Sequence, residues 1–210
     1  MYLPAQFKEE RIDVLKALMR EHPFATVVAM SDNGLIVDHL PLQVIDGPST
    51  WGTIRGHVAR ANPIWKDYRA DSEAIAIFQG PQTYVSPSLY PSKQTTGEVV
   101  PTWNYAVVHA RGTLRFIHEG AWLRDLVANL TDEHEAHRAA PWKMTDAPEP
   151  YLEKMLAMIV GLEFSISSVS GKWKLGQNRT LADRQGLVHG LQQSPEADAR
   201  ALAGMLAARE

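Results

Sequence analysis

Between residues 23 and 118 the chain is crowded with strand-forming segments, and no long helical pattern alternates with them. FATVVAMS and LIVDHLPLQV flank Asp32, Asn33 and Gly34, a tight turn whose Asn and Gly tolerate positive φ. TWGTIRGHV, EAIAIF and NYAVVHARGTLRFI follow, each rich in β-branched and apolar residues, with Gly112 a candidate bulge. Strands succeeding one another without crossover helices point to an antiparallel barrel with helices added, not a doubly wound sheet. The fold class expected is therefore α+β, mainly antiparallel β.

The helices are placed around those strands. Phe7, Ile12, Leu15, Leu18 and Met19 space an amphipathic helix over 7–21, stopped before Pro23. A short helix begins near Pro63. Apolar stripes at 122–130 and 151–159 predict two more, and GLEFSISSVSG alternates like a half-buried strand that closes the sheet. A helix over 181–191 and another opened by Ser194 and Pro195 complete the chain. The last of these, in ADARALAGMLAARE, has a narrow apolar face. Residues 1–191 are expected to form the main domain, and 192–210 a C-terminal helix belonging to it or to a dimer contact.

The segment from Phe78 to Tyr105 has another character. Pro81, Pro87, Pro91 and Pro101 interrupt it, so neither an ordinary helix nor a long strand is expected. Its aromatic residues, hydroxyls, amides and isolated Lys93 suit a planar, polar, phosphorylated ligand, and equally a proline-rich loop that caps the core.

Two further segments carry candidate binding groups. In GHVARANPIW, a strand ending at His57 turns through Arg60 and Asn62 before a helix start, which could hold a phosphate; alternatively Arg60 pairs with an acid and Asn62 caps the helix. In SGKWKLGQNR, Lys172 and Lys174 are expected on one strand face with Trp173 and Leu175 on the other. Gln177 and Asn178 then offer amides to a heterocycle edge, or simply form a turn.

Other chemistries lack support. His134 and His137 in DEHEAHR do not form H-E-x-x-H, and no metal is assigned. No Walker loop, G-x-G-x-x-G or G-x-S-x-G occurs, and no histidine has a nucleophile beside it, so no catalytic residue is assigned. The absence of cysteine rules out disulfides and thiolate metal sites and fits a reducing cytoplasm. No apolar run is long enough to cross a bilayer, and the start lacks a leader pattern. A net charge of −3 without a Lys/Arg block is not the footprint of an autonomous nucleic-acid binder.

Taken in order, MYLPAQF, DHLPL, GHVARANPIW, FQGPQTYVSPSLYPSK, VPTWNYAVVHARG and KLGQNRTLADRQGLVHGL resemble the PaiB family of FMN-binding negative transcriptional regulators. The resemblance runs from Met1 to about Leu191. Leu89 stands where the family usually has tryptophan, and Gly176 where it usually has serine. It implies an FMN-binding split β-barrel, assembled as a homodimer with FMN at the subunit interface. It also implies roles: Arg60 and Lys93 on the phosphate, helped by His57; Thr102, Trp103 and Asn104 at the isoalloxazine; Lys174, Gln177 and Asn178 at its pyrimidine edge or the ribityl chain. Regulation of transcription, with DNA as a partner, follows from the resemblance alone. The alternatives are a flavin-dependent oxidoreductase using NAD(P)H and a flavin-free dimeric interaction protein.

Overall fold

A computed structural model describes residues 1–70 and 72–209. The strands are β1 (Lys8–Glu9), β2 (Phe24–Ser31), β3 (Gly34–Pro41), β4 (Gln43–Ile45), β5 (Thr53–Ala59), β6 (Ala74–Val85), β7 (Thr102–Ile117) and β8 (Ile159–Lys174). They run in the order β3-β2-β6-β7-β8-β5-β4, with β1 beside β8. The registers of β1 with β8, β2 with β3 and β6, and β5 with β4 and β8 are all antiparallel. The helices are α1 (Ile12–Glu21), α2 (Ile64–Asp67), α3 (Ser92–Thr95), α4 (Gly120–Glu135), α5 (Glu149–Ala157), α6 (Leu181–Gln192) and α7 (Ala197–Ala207). The mainly antiparallel sheet with added helices is thus as expected. Among the described residues no helix is long and apolar enough to cross a membrane, which says nothing of membrane barrels.

The chain divides into two compact units, and β6, β7 and β8 each contribute residues to both. Unit 1 comprises Met1–Glu21, Gln79–Val108 and Ser170–Glu210. Its core gathers Leu15, Leu18, Val85, Trp173, Leu187 and Leu206. Unit 2 comprises His22–Phe78 and His109–Val169. There Val27, Ile54, Phe78, Leu123, Leu162 and Phe164 are buried. The β2–β3 hairpin turns where Gly34 takes φ +114°, the left-handed geometry read from Asp32, Asn33 and Gly34. Gly112 lies within β7, one 16-residue strand, where a Cβ would lie 1.9 Å from Ser165 O. Glycine is present because another backbone passes against it.

Three expectations give way to local physics. The amphipathic helix begins at Ile12, because Ala5–Phe7 form a 3-10 turn and Lys8–Glu9 pair with β8. The segment from Phe78 is not loop throughout: β6 continues through Pro81 to Val85. Its register with β2 covers only Ile75–Ile77, so the strand reaches Pro81 beyond that ladder, where a missing N–H is tolerated. Beyond the proline, acidic residues at the start of α7 serve β6. Gln82 N donates to Asp198 Oδ2 at 3.2 Å, and Thr83 Oγ1 donates to Glu196 Oε2 at 3.0 Å. Finally, α7 opens at Ala197, not at Pro195; Ser194 Oγ accepts the Glu196 N–H in the preceding turn. Ala199, Leu202, Ala203 and Leu206 are buried along it.

Candidate functional site

Unit 1 contains a groove of about 210 Å³ lined by Gln6, Phe7, Tyr90, Thr102, Asn104, Lys174, Gly176, Asn178 and Arg179. Alternation along β7 turns Thr102 and Asn104 to one side. At the end of β8, Lys174 Nζ donates to Thr102 Oγ1. The chain then turns at Gly176, whose φ of +94° favours glycine. A Cβ there would stand 3.1 Å from Leu187 Cδ2, so the departure from serine suits this backbone. Asn104 is buried, and the Arg179 guanidinium lies 4.7 Å from the centre of the Tyr90 ring. Burial pushes the Tyr90 hydroxyl above its ordinary value, and the Arg179 charge opposes this in part.

The segment bearing Tyr90 is clamped to α6. Asp183 accepts from Ser92 N and Ser92 Oγ, and its own N–H donates to the capping Thr180 Oγ1 at 3.2 Å. The Ser92 backbone bond, with help from the Ser92 and Thr180 side chains and the Arg179 charge, holds Asp183 below the usual carboxylate range against its desolvation. One and two turns along α6, Gly186 and Gly190 admit Leu89 and Pro91. A Cβ on Gly186 would meet Leu89 O at 2.6 Å, and one on Gly190 would meet Leu89 Cδ2 at 2.5 Å. Leu89 therefore packs on α6, while the next residue, Tyr90, lines the groove.

Of the expected ligand residues in unit 1, the groove brings together Thr102, Asn104, Lys174 and Asn178. Trp103 is not in its lining; it is exposed, edge-on to Tyr84 with ring centroids 6.3 Å apart. Lys93 lies on α3, exposed and outside the groove's lining. Gln177 shapes the turn, its Nε2 donating to Trp173 O and its Oε1 accepting from Leu175 N at 2.8 Å. Sequence reasoning missed Gln6, Phe7, Tyr90 and Arg179. Arg179 adjoins the Gln177–Asn178 pair, and Gln6 and Phe7 end the MYLPAQF motif, so a signal existed for these three.

His57, Arg60 and Asn62 belong to unit 2. Arg60 Nε donates to Ala157 O at 2.6 Å and Nη2 to Ile159 O at 2.8 Å, while Nη1 stands 3.5 Å from His118 Nδ1. Asn62 Oδ1 accepts the Ile64 N–H at the start of α2, and its Nδ2 donates to Asp38 Oδ1. His57 is half-buried; burial lowers its pKa, and its Nδ1 has no hydrogen-bond partner among the described residues.

The groove's donors fit the group that the motifs imply. A lysine, an arginine, two amides and a hydroxyl beside a phenol ring can meet the carbonyls, ring nitrogens or phosphate of a flavin nucleotide.

Comparison with known proteins agrees. Residues 1–168 match the family described as "Putative FMN-binding domain". Protease synthase and sporulation protein PAI 2 of Bacillus subtilis is 31% identical over 206 residues, covering 98% of this chain and 96% of that protein. Among solved structures, the FAD and heme binding protein from Mycobacterium smegmatis superposes with a TM-score of 0.57 at 16% identity, covering 80% of this chain and 73% of the other. The flavocytochrome Anf3 from Azotobacter vinelandii gives 0.56 at 16% identity, with 83% and 70% covered. The chain belongs to this family of FMN-binding domains, the PaiB family its motifs resemble. FMN is the cofactor that membership assigns to it, and the fold is the flavin-binding split-barrel type.

Proposed function

We propose that the chain is an FMN-binding regulator of transcription that works in the cytoplasm as a homodimer, and that the groove of unit 1 is its flavin site. The observation that carries this reading is the convergence of Thr102, Asn104, Lys174, Asn178 and Arg179 on one groove. FMN, when bound, supplies a reversible redox centre. The protein's own groups bind and orient. Lys174, held by Thr102, presents a point charge, and Asn104 and Asn178 each offer a donor and an acceptor. Arg179, over the Tyr90 ring, adds a second cation beside an aromatic face.

At about 210 Å³ the groove is smaller than the roughly 300–1,000 Å³ of sites that enclose a drug-sized ligand. It suits part of a flavin nucleotide, and a second copy of the chain would cover the rest. The cysteine-free sequence supports the cytoplasm, and the family supports the regulatory role.

The experiment is to purify the protein, record its visible absorption and identify any small molecule released on denaturation. A colourless protein that also fails to bind added FMN would refute the reading. Binding of one promoter fragment in preference to random DNA, weakened by salt, is the expected regulatory result. Steady oxidation of NAD(P)H without such binding would make it an oxidoreductase instead.

A further inference from the structure

Among the described residues the groove of unit 1 is lined by two cations, Lys174 and Arg179, and by no aspartate or glutamate. Neither cation forms an ion pair among them: Lys174 Nζ donates to the Thr102 hydroxyl, and the Arg179 guanidinium lies over the Tyr90 ring. The acid whose field reaches Arg179 is Asp183, which stands outside the lining and gives its oxygens to Ser92 N and Oγ. A third cation shares the strand. Lys172, two residues earlier on the same face of β8, is buried; its Nζ donates to Tyr2 O at 3.0 Å and lies 5.3 Å from the centre of the Tyr105 ring, again with no carboxylate partner among the described residues. A cleft lined by one sign of charge concentrates the opposite sign.

Asn104 points to a ligand independently of charge. It is 2% exposed and lines the groove, yet its amide makes no hydrogen bond among the described residues. Of those residues only Asp38 Oδ2 and His57 Nδ1 are sealed from solvent without a partner, so the Asn104 amide keeps an opening, and that opening is the groove. A buried amide left unpaired is costly, and a ligand oxygen would remove the cost.

Size and charge choose which part of a flavin nucleotide enters. An apolar cavity of about 150 Å³ takes up one benzene ring, so a groove of about 210 Å³ cannot enclose the three fused rings of a flavin. The oxidised ring is neutral, and amides alone can meet its carbonyl and N–H edges. A phosphomonoester carries close to two negative charges at neutral pH and three acceptor oxygens, and it suits a guanidinium fork beside an ammonium.

We propose that the groove is the phosphate subsite of the flavin site, with Lys174 and Arg179 on the phosphate oxygens and the Asn104 amide donating to one of them, and that it makes the protein select FMN over riboflavin. This rests on the flavin reading of the groove, and it gives the phosphate to Lys174 and Arg179 in place of Arg60 and Lys93. Arg60 Nε and Nη2 are held by the carbonyls of Ala157 and Ile159, and Lys93 lies outside the lining.

The test is fluorescence titration of FMN and of riboflavin with the full-length protein, stripped of any bound flavin. FMN should bind at least about a hundredfold more tightly than riboflavin, the equivalent of two charge-assisted hydrogen bonds. Lys174→Met and Arg179→Met should each lower that preference by about tenfold or more. Inorganic phosphate should displace FMN from the wild type more effectively than sodium chloride of equal ionic strength, and should not displace riboflavin; this arm needs no variant to fold. Failure of both flavins to bind would refute the flavin reading, and this inference with it. FMN bound no more tightly than riboflavin would overturn the inference and leave that reading standing. So would a preference undiminished in variants that melt like the wild type, or inorganic phosphate that displaces riboflavin as readily as FMN or displaces neither.

Discussion

Asp183 accepts two hydrogen bonds from Ser92, one from the backbone N–H at 3.0 Å and one from the hydroxyl at 2.8 Å. A single carboxylate on α6 thus fixes the first residue of α3, two residues beyond the groove's Tyr90. Asp183→Ala leaves both donors without that acceptor, and hydrogen bonds to charged groups contribute about 1.5–3 kcal/mol each. We expect a stability loss of about 3–6 kcal/mol by urea denaturation, together with weaker FMN binding. Asp183→Asn, which keeps one acceptor oxygen, should lose less of both.

Gly186 and Gly190 are not equivalent. Alanine is ordinarily favoured over glycine inside a helix by about 1 kcal/mol. At Gly190 the new methyl would press on Leu89 Cδ2, the movable end of a side chain; at Gly186 it would meet Leu89 O and Pro91 Cδ, which are rigid. Gly186→Ala should therefore destabilise by about 1–3 kcal/mol, and Gly190→Ala by less. Adding Leu89→Ala should relieve the strain of Gly190→Ala but not that of Gly186→Ala. The two double-mutant cycles, measured by denaturation, check this.

These contacts mark where the sequence stopped being legible. The β2–β3 turn, the bounds of α6 and the crowding of strands are local patterns, and they can be read residue by residue. The continuation of β6 through Pro81 depends on where its ladder with β2 ends, and the reason for glycine at 112 is the backbone of Ser165. Neither is a property of the residues themselves. In the groove, Thr102, Asn104, Lys174 and Asn178 are marked for a flavin role by the family resemblance. Tyr90 was hidden in a segment whose every aromatic looked alike until packing sent Leu89 to α6 and Tyr90 to the groove.

Lys174 and Asn104 supply the sharpest test of the flavin groove. Lys174→Met keeps the length of the side chain and removes its charge, and Asn104→Leu replaces a buried amide with an isosteric apolar group. Each should weaken FMN by about tenfold to a hundredfold, the equivalent of one charge-assisted hydrogen bond or one unpaired ligand group. Flavin fluorescence quenching on titration measures this, with melting curves to show that the fold is retained. Trp103→Phe, outside the groove, should leave FMN affinity within about twofold in the same assay. A larger loss there would mean that the exposed indole meets the flavin.

Glu9 predicts the acid stability of unit 1. It is almost fully buried and accepts from Arg11 N and Nε at 3.0 Å, from Arg11 Nη2 at 2.8 Å, and from Arg209 near the end of the chain. Burial alone would raise its pKa; the hydrogen bonds and charges of Arg11, with the charge of Arg209, outweigh burial and hold it at about 2, against an ordinary 4.5. A carboxyl depressed in the folded state contributes its stability in full above the unfolded value, and loses it as pH falls towards the folded one. The contribution, on the order of 3 kcal/mol, should therefore be present at pH 7 and disappear between about pH 4.5 and 2. Glu9→Gln should be less stable than the wild type at neutral pH, with the gap in urea midpoints closing through that window. A gap that stays constant from pH 7 to 3 would assign the loss to packing instead of charge. Because Arg209 has its carboxylate partner in Glu9, the variant should also loosen the end of α7, seen as faster amide exchange from Met205 to Ala208.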